Sequence, residues 1–267
     1  MRRIAPFVLI LLLSACAGTR PAADAGHFEA RSLRLDGQPW RYQVFVPAPQ
    51  FRQRPVPMLL FLHGSGERGT DNRSTLKVGL PRHLRHHRRD FPAVVVIPQA
   101  RPGQEWIGPS LDAALAALDA AANEFDGDRQ RTYLTGLSMG GYGVWEAALA
   151  EPGRFAALVP IAGALSAPSD EPPLRVTQVE HEKDPYTAVA RRLPGMPVWM
   201  FHGQDDDEVS VHDDRRLSKV LAAAGNPVHY TEFPNQGHGI WDQAYANPAL
   251  WTWLFAQSTA GREAQAQ

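Results

Sequence analysis

One short stretch constrains the fold of this chain more than any other. Gly136, Ser138 and Gly140 form a G-x-S-x-G sequence, which follows the apolar run 131–134 and precedes the helix-compatible run 144–150. This order predicts a strand, a tight turn and a helix. A serine at the apex of such a turn is forced outward, and the two glycines remove side chains that would collide there. The stretch therefore predicts an exposed serine beside a helix N-terminus, where backbone N–H groups can hold a developing negative charge. By itself it also fits a glycine-rich surface turn.

The rest of the chain alternates apolar, β-branched runs with helix-compatible stretches. This alternation is typical of a largely parallel sheet whose faces are both covered. Strands are predicted at 42–46, 58–63, 93–98, 132–136, 157–161, 198–202 and 228–233, with an antiparallel edge strand at 28–35. Helices are predicted at 110–125, 139–150, 213–224 and 249–257, and residues 160–197 as a long excursion over the sheet edge.

Two later loops carry the partners that a serine nucleophile needs. A carboxylate-rich loop, 203–209, follows the predicted strand 198–202, and His238 lies in a glycine-flanked loop after the strand 228–233. A serine nucleophile needs a base, and the base needs a carboxylate that orients it. The carboxyl ends of strands in an open α/β sheet lie at one edge, where ligands bind. The order serine, acid, histidine therefore predicts a nucleophilic site, although each loop alone fits a solvated turn.

The N-terminus predicts export. A basic start, the short apolar run 4–13 and small residues before Cys16 are typical of a secretory signal, and the run is too short to span a bilayer. We expect a signal peptide at 1–15, a flexible tether at 16–27, one folded domain at 28–257 and a disordered tail at 258–267. Cys16 is the only cysteine, so the folded part is expected to lack disulfides.

Charge gives few further indications. The formal net charge of −1 offers no electrostatic case for nucleic acid. The basic segment 82–89 fits a solvated helix face, a surface that contacts anionic lipid or polysaccharide, or a metal site. His83 and His87 are one helical turn apart, but the acidic residue of a helical zinc motif is missing. We predict no metal and no cofactor.

Four stretches, 61–72, 133–143, 201–209 and 237–245, resemble the α/β-hydrolase superfamily. Within it they are similar to the esterase branch of phospholipase/carboxylesterases, dienelactone-hydrolase-like proteins and predicted "peptidases". The resemblance covers essentially the whole domain. It implies the α/β-hydrolase fold, an α/β architecture with a mostly parallel eight-stranded sheet and helices on both faces. The sequence 13–16, Leu-Ser-Ala-Cys, likewise resembles a bacterial lipoprotein signal. It implies a lipid anchor on Cys16 in the cell envelope, on the outer membrane and facing the periplasm.

The resemblance also implies roles for individual residues. Ser138 aligns with the nucleophile and His238 with the general base. Asp206 aligns with the aspartate of the family's H-G-x-x-D-x-x-V stretch, with Asp205 and Asp207 as rivals. Ser210 stands where the family usually has proline.

An oxyanion hole is implied as well. The residue after the nucleophile supplies one backbone N–H, so Met139, and the family match points to Ser65 for the other. His63, before that loop, is expected to brace it. Trp106 and Trp241 are candidates for the substrate pocket, although tryptophans in an α/β core are often only packing.

The activity implied is a serine esterase that works through an acyl-enzyme. Relatives suggest short acyl chains, or acetyl and feruloyl groups on plant polysaccharide, so the expected partner is a small-molecule or polysaccharide-linked ester. Two alternatives stay open. One is a serine peptidase on the same scaffold, and the other is a non-catalytic binding lipoprotein of the envelope.

Overall fold

The computed structural model of the chain describes residues 24–52, 55–166 and 174–265. The predicted signal peptide and Cys16 lie outside these residues. Among the helices that the structure describes, none combines the length and the apolar character needed to cross a membrane.

Eight strands form one sheet in the order β1-β2-β4-β3-β5-β6-β7-β8. The strands are β1 His27–Leu35, β2 Gln38–Val46, β3 Val56–Leu62, β4 Val94–Pro98, β5 Gly127–Leu137, β6 Ala157–Ile161, β7 Val198–Gly203 and β8 Val228–Phe233. β2 runs antiparallel to β1 and to β4, and all other neighbours are parallel. The predicted mostly parallel eight-stranded sheet is confirmed.

Both faces of this sheet are buried, as the continuous apolar sequence of its central strands requires. Every residue of β3 is buried. Met58 and Leu60 belong to the core on one face, while Leu59 and Phe61 belong to the core on the other. Each face therefore needs its own helical layer.

Eight helices lie among the described residues, and the first seven provide these layers. They are α1 Leu80–His86, α2 Pro109–Glu124, α3 Met139–Ala150, α4 Pro185–Arg192, α5 Val211–Ala223, α6 Trp241–Ala246, α7 Pro248–Phe255 and α8 Thr259–Gln265. Buried side chains of α2, α3, α4 and α5 join the core with Met58, and those of α1, α6 and α7 join the core with Phe61. Helices on both faces are thus confirmed.

The C-terminal segment differs from the prediction. Residues 258–267 were expected to be disordered, but Thr259–Gln265 forms α8. The physical reason is tertiary, because Arg262 Nη1 donates a hydrogen bond to the carbonyl of Phe155 at 3.1 Å. A polar segment without its own apolar stripe gave no sign of this contact.

The basic segment 82–89 overlaps α1 and extends three residues beyond its end. Leu80 and Leu84 face the core, whereas the arginines of the segment are exposed. The rings of His83 and His87 stack with centroids 4.1 Å apart. Among the described residues, no group of three or more histidines, cysteines and carboxylates is arranged to hold a metal ion.

Candidate active site

The turn between β5 and α3 holds Ser138 in an unusual backbone conformation. Its φ of 53° and ψ of −122° place a non-glycine residue at positive φ, directly before the first residue of α3. A Cβ on Gly140 would overlap the Leu62 carbonyl of β3, and one on Gly136 would overlap the Gly140 carbonyl. The two glycines are therefore required by close backbone contacts, and the serine sits at the carboxyl end of the sheet.

Ser138, His238 and Asp206 form a hydrogen-bonded chain. Ser138 Oγ lies 2.8 Å from His238 Nε2, and His238 Nδ1 lies 2.8 Å from Asp206 Oδ2. The three loops follow β5, β8 and β7, so strands distant in sequence bring the side chains together at one edge. Both distances suit proton transfer from the serine to an imidazole that a carboxylate orients.

Asp206 is the aspartate of its loop that faces the histidine. Its side chain is completely buried, whereas Asp205 and Asp207 are exposed. Its Oδ1 accepts the backbone N–H groups of Glu208 at 3.0 Å and Val209 at 2.8 Å. Burial raises the pKa of Asp206, but the hydrogen bonds from the histidines and from the backbone outweigh burial and hold its pKa below the usual range.

A second buried histidine lies behind Asp206. His202 Nε2 is 3.1 Å from Asp206 Oδ2 and 3.0 Å from the Val209 carbonyl, and its Nδ1 is 2.8 Å from Asp214 Oδ2. Burial lowers the pKa of His202, but the hydrogen bonds to the two aspartates prevail and raise it to about 10. His202 is the histidine of the H-G-x-x-D-x-x-V stretch, which gave it no role, and Asp214 was not among the predicted residues. The available signal was that a histidine at the end of a buried strand needs hydrogen-bond partners for its ring nitrogens.

The loop after β3 approaches the serine from the other side. A Cβ on Gly64 would lie 3.5 Å from Ser138 Cβ. Ser65 begins a 3₁₀ turn, Ser65–Glu67, and Met139 begins α3. Within the described residues, neither Ser65 N–H nor Met139 N–H donates to a protein acceptor. Both predicted oxyanion donors are therefore available to an external oxygen.

His63 braces this loop, as expected. Its Nε2 accepts the Ala100 N–H at 3.0 Å, so the proton lies on Nδ1, which donates to the Gly64 carbonyl at 2.6 Å. Burial lowers the pKa of His63 to about 4. Trp106 Nε1 donates to the His63 carbonyl at 2.9 Å. The loop is thus tied to the segment after β4 and to Trp106 by neutral hydrogen bonds.

A cavity of about 170 Å³ lies beside α3. Its walls include Trp106, Met139, Tyr142 and Leu174, and Glu105, Glu146 and Arg175 add charged groups. The structure thus places Trp106 on a pocket wall, next to Met139. Trp241 does not line this cavity, and instead packs edge-to-face on His238 with ring centroids 5.6 Å apart.

The charged walls of this cavity differ in their partners. Glu146 accepts the Thr177 N–H at 2.7 Å. Glu105 forms an ion pair with Arg68 through Oε1, while its buried Oε2 has no hydrogen-bond partner among the described residues. Burial raises the pKa of Glu105, against the effect of Arg68.

Comparison with known proteins agrees with this architecture. The sequence pattern of the prolyl oligopeptidase family matches residues 104–258. A crystal structure of a thermostable esterase is 31% identical with a TM-score of 0.70, over 86% of this chain and 63% of that one. The fluorophosphonate-binding serine hydrolase FphF of Staphylococcus aureus has the same fold, at 20% identity and a TM-score of 0.65, over 86% of this chain and 99% of that one.

A further relative gives no information about activity. An uncharacterized secreted protein of Arthroderma benhamiae is 26% identical over 68% of this chain. The chain spans about a fifth (21%) of that protein and 63% of the thermostable esterase.

Proposed function

Because the chain belongs to the prolyl oligopeptidase family of serine hydrolases, with the α/β-hydrolase fold, we propose that it hydrolyses carboxylic esters with Ser138 as the nucleophile. One observation carries the proposal. The Ser138 hydroxyl, the His238 imidazole and the Asp206 carboxylate form a continuous hydrogen-bonded chain with both distances at 2.8 Å. A protein that only binds a ligand has no need of this arrangement.

The reaction follows from these positions. His238 Nε2 accepts the Ser138 proton as Oγ attacks the ester carbonyl, and Asp206 stabilises the imidazolium that forms. The tetrahedral oxyanion accepts the N–H groups of Ser65 and Met139, and each such donor is worth about 3 kcal/mol in the transition state. His238 then protonates the leaving alcohol. Water repeats the cycle on the acyl-enzyme and releases the acid.

The cavity beside α3 supports a small acyl group. Its volume of about 170 Å³ is close to that of the roughly 150 Å³ apolar cavity known to hold one benzene molecule. Trp106 and Tyr142 supply aromatic walls at the side of Met139, whose N–H is the proposed oxyanion donor. We therefore propose short aliphatic or single-ring acyl groups rather than long lipid chains.

A peptidase on the same scaffold is the second candidate. The family takes its name from peptidases, and Glu105 Oε2, which has no hydrogen-bond partner within the described part of the chain, offers an acceptor at the cavity wall for a protonated amine. Against it stands the 31% identity with an esterase. Amides also have the poorer leaving group of the two.

Intact-mass analysis with a fluorophosphonate tests the nucleophile. We expect one adduct per chain on the wild type and none on Ser138→Ala. Untreated wild-type enzyme is then assayed on p-nitrophenyl esters from acetate to dodecanoate and on blocked and free peptides. Folded wild type that takes no label contradicts the proposal. Wild type that can be labelled, but whose untreated form cleaves free peptides and no ester, favours the peptidase.

The proposed location is the bacterial envelope, through a lipid on Cys16. At the start of the described chain, the Gly26 N–H donates to the Arg88 carbonyl at 2.5 Å, and Arg88 Nε donates to the Gly26 carbonyl at 2.7 Å. β1 then runs parallel to β3, from the end of the sheet opposite Ser138. An anchored tether would leave the site facing away from the membrane.

Labelled palmitate tests the anchor. We expect the wild type to incorporate it and Cys16→Ala not to, and equal labelling of the two proteins would contradict the proposal.

A further inference from the structure

His202 is the least explained titratable group of the site. It is completely buried, and both of its ring nitrogens face oxygen atoms. Nδ1 faces Asp214 Oδ2 at 2.8 Å, and Nε2 faces the Val209 carbonyl at 3.0 Å and Asp206 Oδ2 at 3.1 Å. A neutral imidazole can donate from only one nitrogen, so it would leave the other lone pair against a carboxylate. With Asp206 and Asp214 both ionised, the geometry calls for an N–H on each nitrogen.

We propose that His202 is a positioning residue that stays doubly protonated and holds the Asp206 carboxylate toward His238. This inference rests on the proposed function, because it assigns His202 to the reaction of Ser138. It extends the hydrogen-bonded chain by two members, from the serine through His238, Asp206 and His202 to Asp214.

The surrounding charges are consistent with a buried cation. The titratable groups that act on this cluster are Asp206 after β7, Asp213 and Asp214 on α5, Tyr230 and Glu232 on β8, Tyr142 on α3, and His238 after β8. Asp213 is satisfied by the N–H groups of Leu165 at 2.9 Å and Ser166 at 3.0 Å, and Glu232 is paired with Arg215 Nε at 2.8 Å. Asp206 and Asp214 are left, and His202 lies between them.

The two histidines hold the same carboxylate oxygen. His202 Nε2 lies 3.1 Å from Asp206 Oδ2, and His238 Nδ1 lies 2.8 Å from it. Loss of His202 should therefore loosen the carboxylate that orients His238, and lower kcat more than it changes KM.

The test is His202→Gln, which keeps an amide N–H for Asp206 but cannot carry the charge. We expect kcat/KM on a short-chain ester to fall about tenfold or more, through a lower kcat with little change of KM, because His202 orients the carboxylate and does not touch the substrate. The matched control is His63→Gln, which alters the other buried histidine of the site, one that is neutral. It should weaken the loop and leave the nitrogen signals of His202 unchanged, because it removes no charge from the cluster.

Nitrogen NMR of histidine-labelled protein gives a readout that does not need activity. We expect His202 to show imidazolium shifts on both nitrogens from pH 6 to pH 9, with its signals assigned by their loss in His202→Gln. Two results would overturn the inference while wild type still takes the fluorophosphonate. One is an unchanged kcat in His202→Gln, and the other is a neutral His202 signal at pH 7. Folded wild type that takes no label would instead count against the proposed function.

Discussion

Replacing Asp206 by asparagine separates the proposed orienting carboxylate from its neighbours. Four N–H donors surround the Asp206 side chain: the backbones of Glu208 and Val209 at Oδ1, and the rings of His238 and His202 at Oδ2. An asparagine amide has one oxygen and one NH₂ group. In either orientation, the NH₂ group must face two other donors.

The cost in stability follows from that conflict. In the orientation that keeps the two backbone bonds, His202 Nε2 keeps the Val209 carbonyl and His238 can change its tautomer, so about one buried hydrogen bond is lost and the free energy of unfolding should fall by about 1–3 kcal/mol. For a domain of this size each kcal/mol lowers Tm by about 2–4 °C. We expect Tm to fall by about 2–12 °C in Asp206→Asn. Asp205→Asn and Asp207→Asn, at exposed positions, should stay within about 0.5 kcal/mol of the wild type.

The expected loss of activity in Asp206→Asn comes from a change in the tautomer of His238. His238 can relieve the conflict by accepting the amide N–H at Nδ1, but its proton then lies on Nε2 and points at Ser138. A base in that state cannot take the serine proton, and kcat should fall by about 10⁴, or about 5 kcal/mol. Ester turnover and fluorophosphonate labelling are measured below the lower Tm, so that the folded state is compared. The reasoning is refuted if Asp206→Asn keeps kcat within tenfold, or if either neighbour loses as much.

Three further outcomes are expected. Gly140→Ala should give little folded protein, because its Cβ would overlap the Leu62 carbonyl, whereas Gly66→Ala, with no atom within 4 Å, should match the wild-type Tm; equal Tm values would contradict this. Trp106→Phe should lower the free energy of unfolding by about 1–3 kcal/mol, because it leaves the His63 carbonyl without its hydrogen-bond donor. It should also raise the ratio of kcat/KM for hexanoate esters to kcat/KM for acetate esters. An unchanged ratio would remove Trp106 from the acyl pocket. His63 titrates at about 4 when folded, below an unfolded value of about 6.5, so its contribution to stability, about 3 kcal/mol, should be lost as pH falls between those values. Chemical denaturation of His63→Gln should therefore give a flatter pH dependence, and a parallel curve would refute the assignment.

The sheet could be predicted from the sequence because its signals are local. β6 and β8 begin and end where their apolar and β-branched runs do, and α3 begins directly after the glycine-flanked serine. β5 begins at Gly127, five residues before the predicted start, because its polar first residues pair with the start of β3. Pairing with a neighbouring strand does not alter the hydropathy pattern of the sequence.

The helices that were not predicted depend on distant contacts or short caps. α4 begins where the Asp184 side chain accepts the Tyr186 N–H at 3.2 Å, a cap that could have been recognised from the sequence. α6 is only six residues long, too short for an amphipathic period to stand out. The hydrogen bond between His202 and Asp214 joins β7 to α5, the helix that follows its loop, across twelve residues, and no spacing rule pointed to it.

The spacing of the H-G-x-x-D-x-x-V stretch has a physical basis in this structure. His202, Asp206 and Val209 form a closed ring: His202 Nε2 faces Asp206 Oδ2 at 3.1 Å, Asp206 Oδ1 accepts the Val209 N–H at 2.8 Å, and the Val209 carbonyl lies 3.0 Å from His202 Nε2. The valine thus contributes both of its backbone polar groups, and its side chain is buried. A shift of the aspartate by one residue would break two sides of the ring at once.

The same ring explains which departures from the motif the site tolerates. Asp205 and Asp207 lie outside the ring and are exposed, so their carboxylates add negative charge but do not hold the ring together. Ser210, which stands where proline is usual, also lies outside it and only precedes α5. A fully buried carboxylate would ordinarily take up a proton. In this site the ring holds Asp206 ionised and aimed at His238, which is the condition that the proposed chemistry of Ser138 requires.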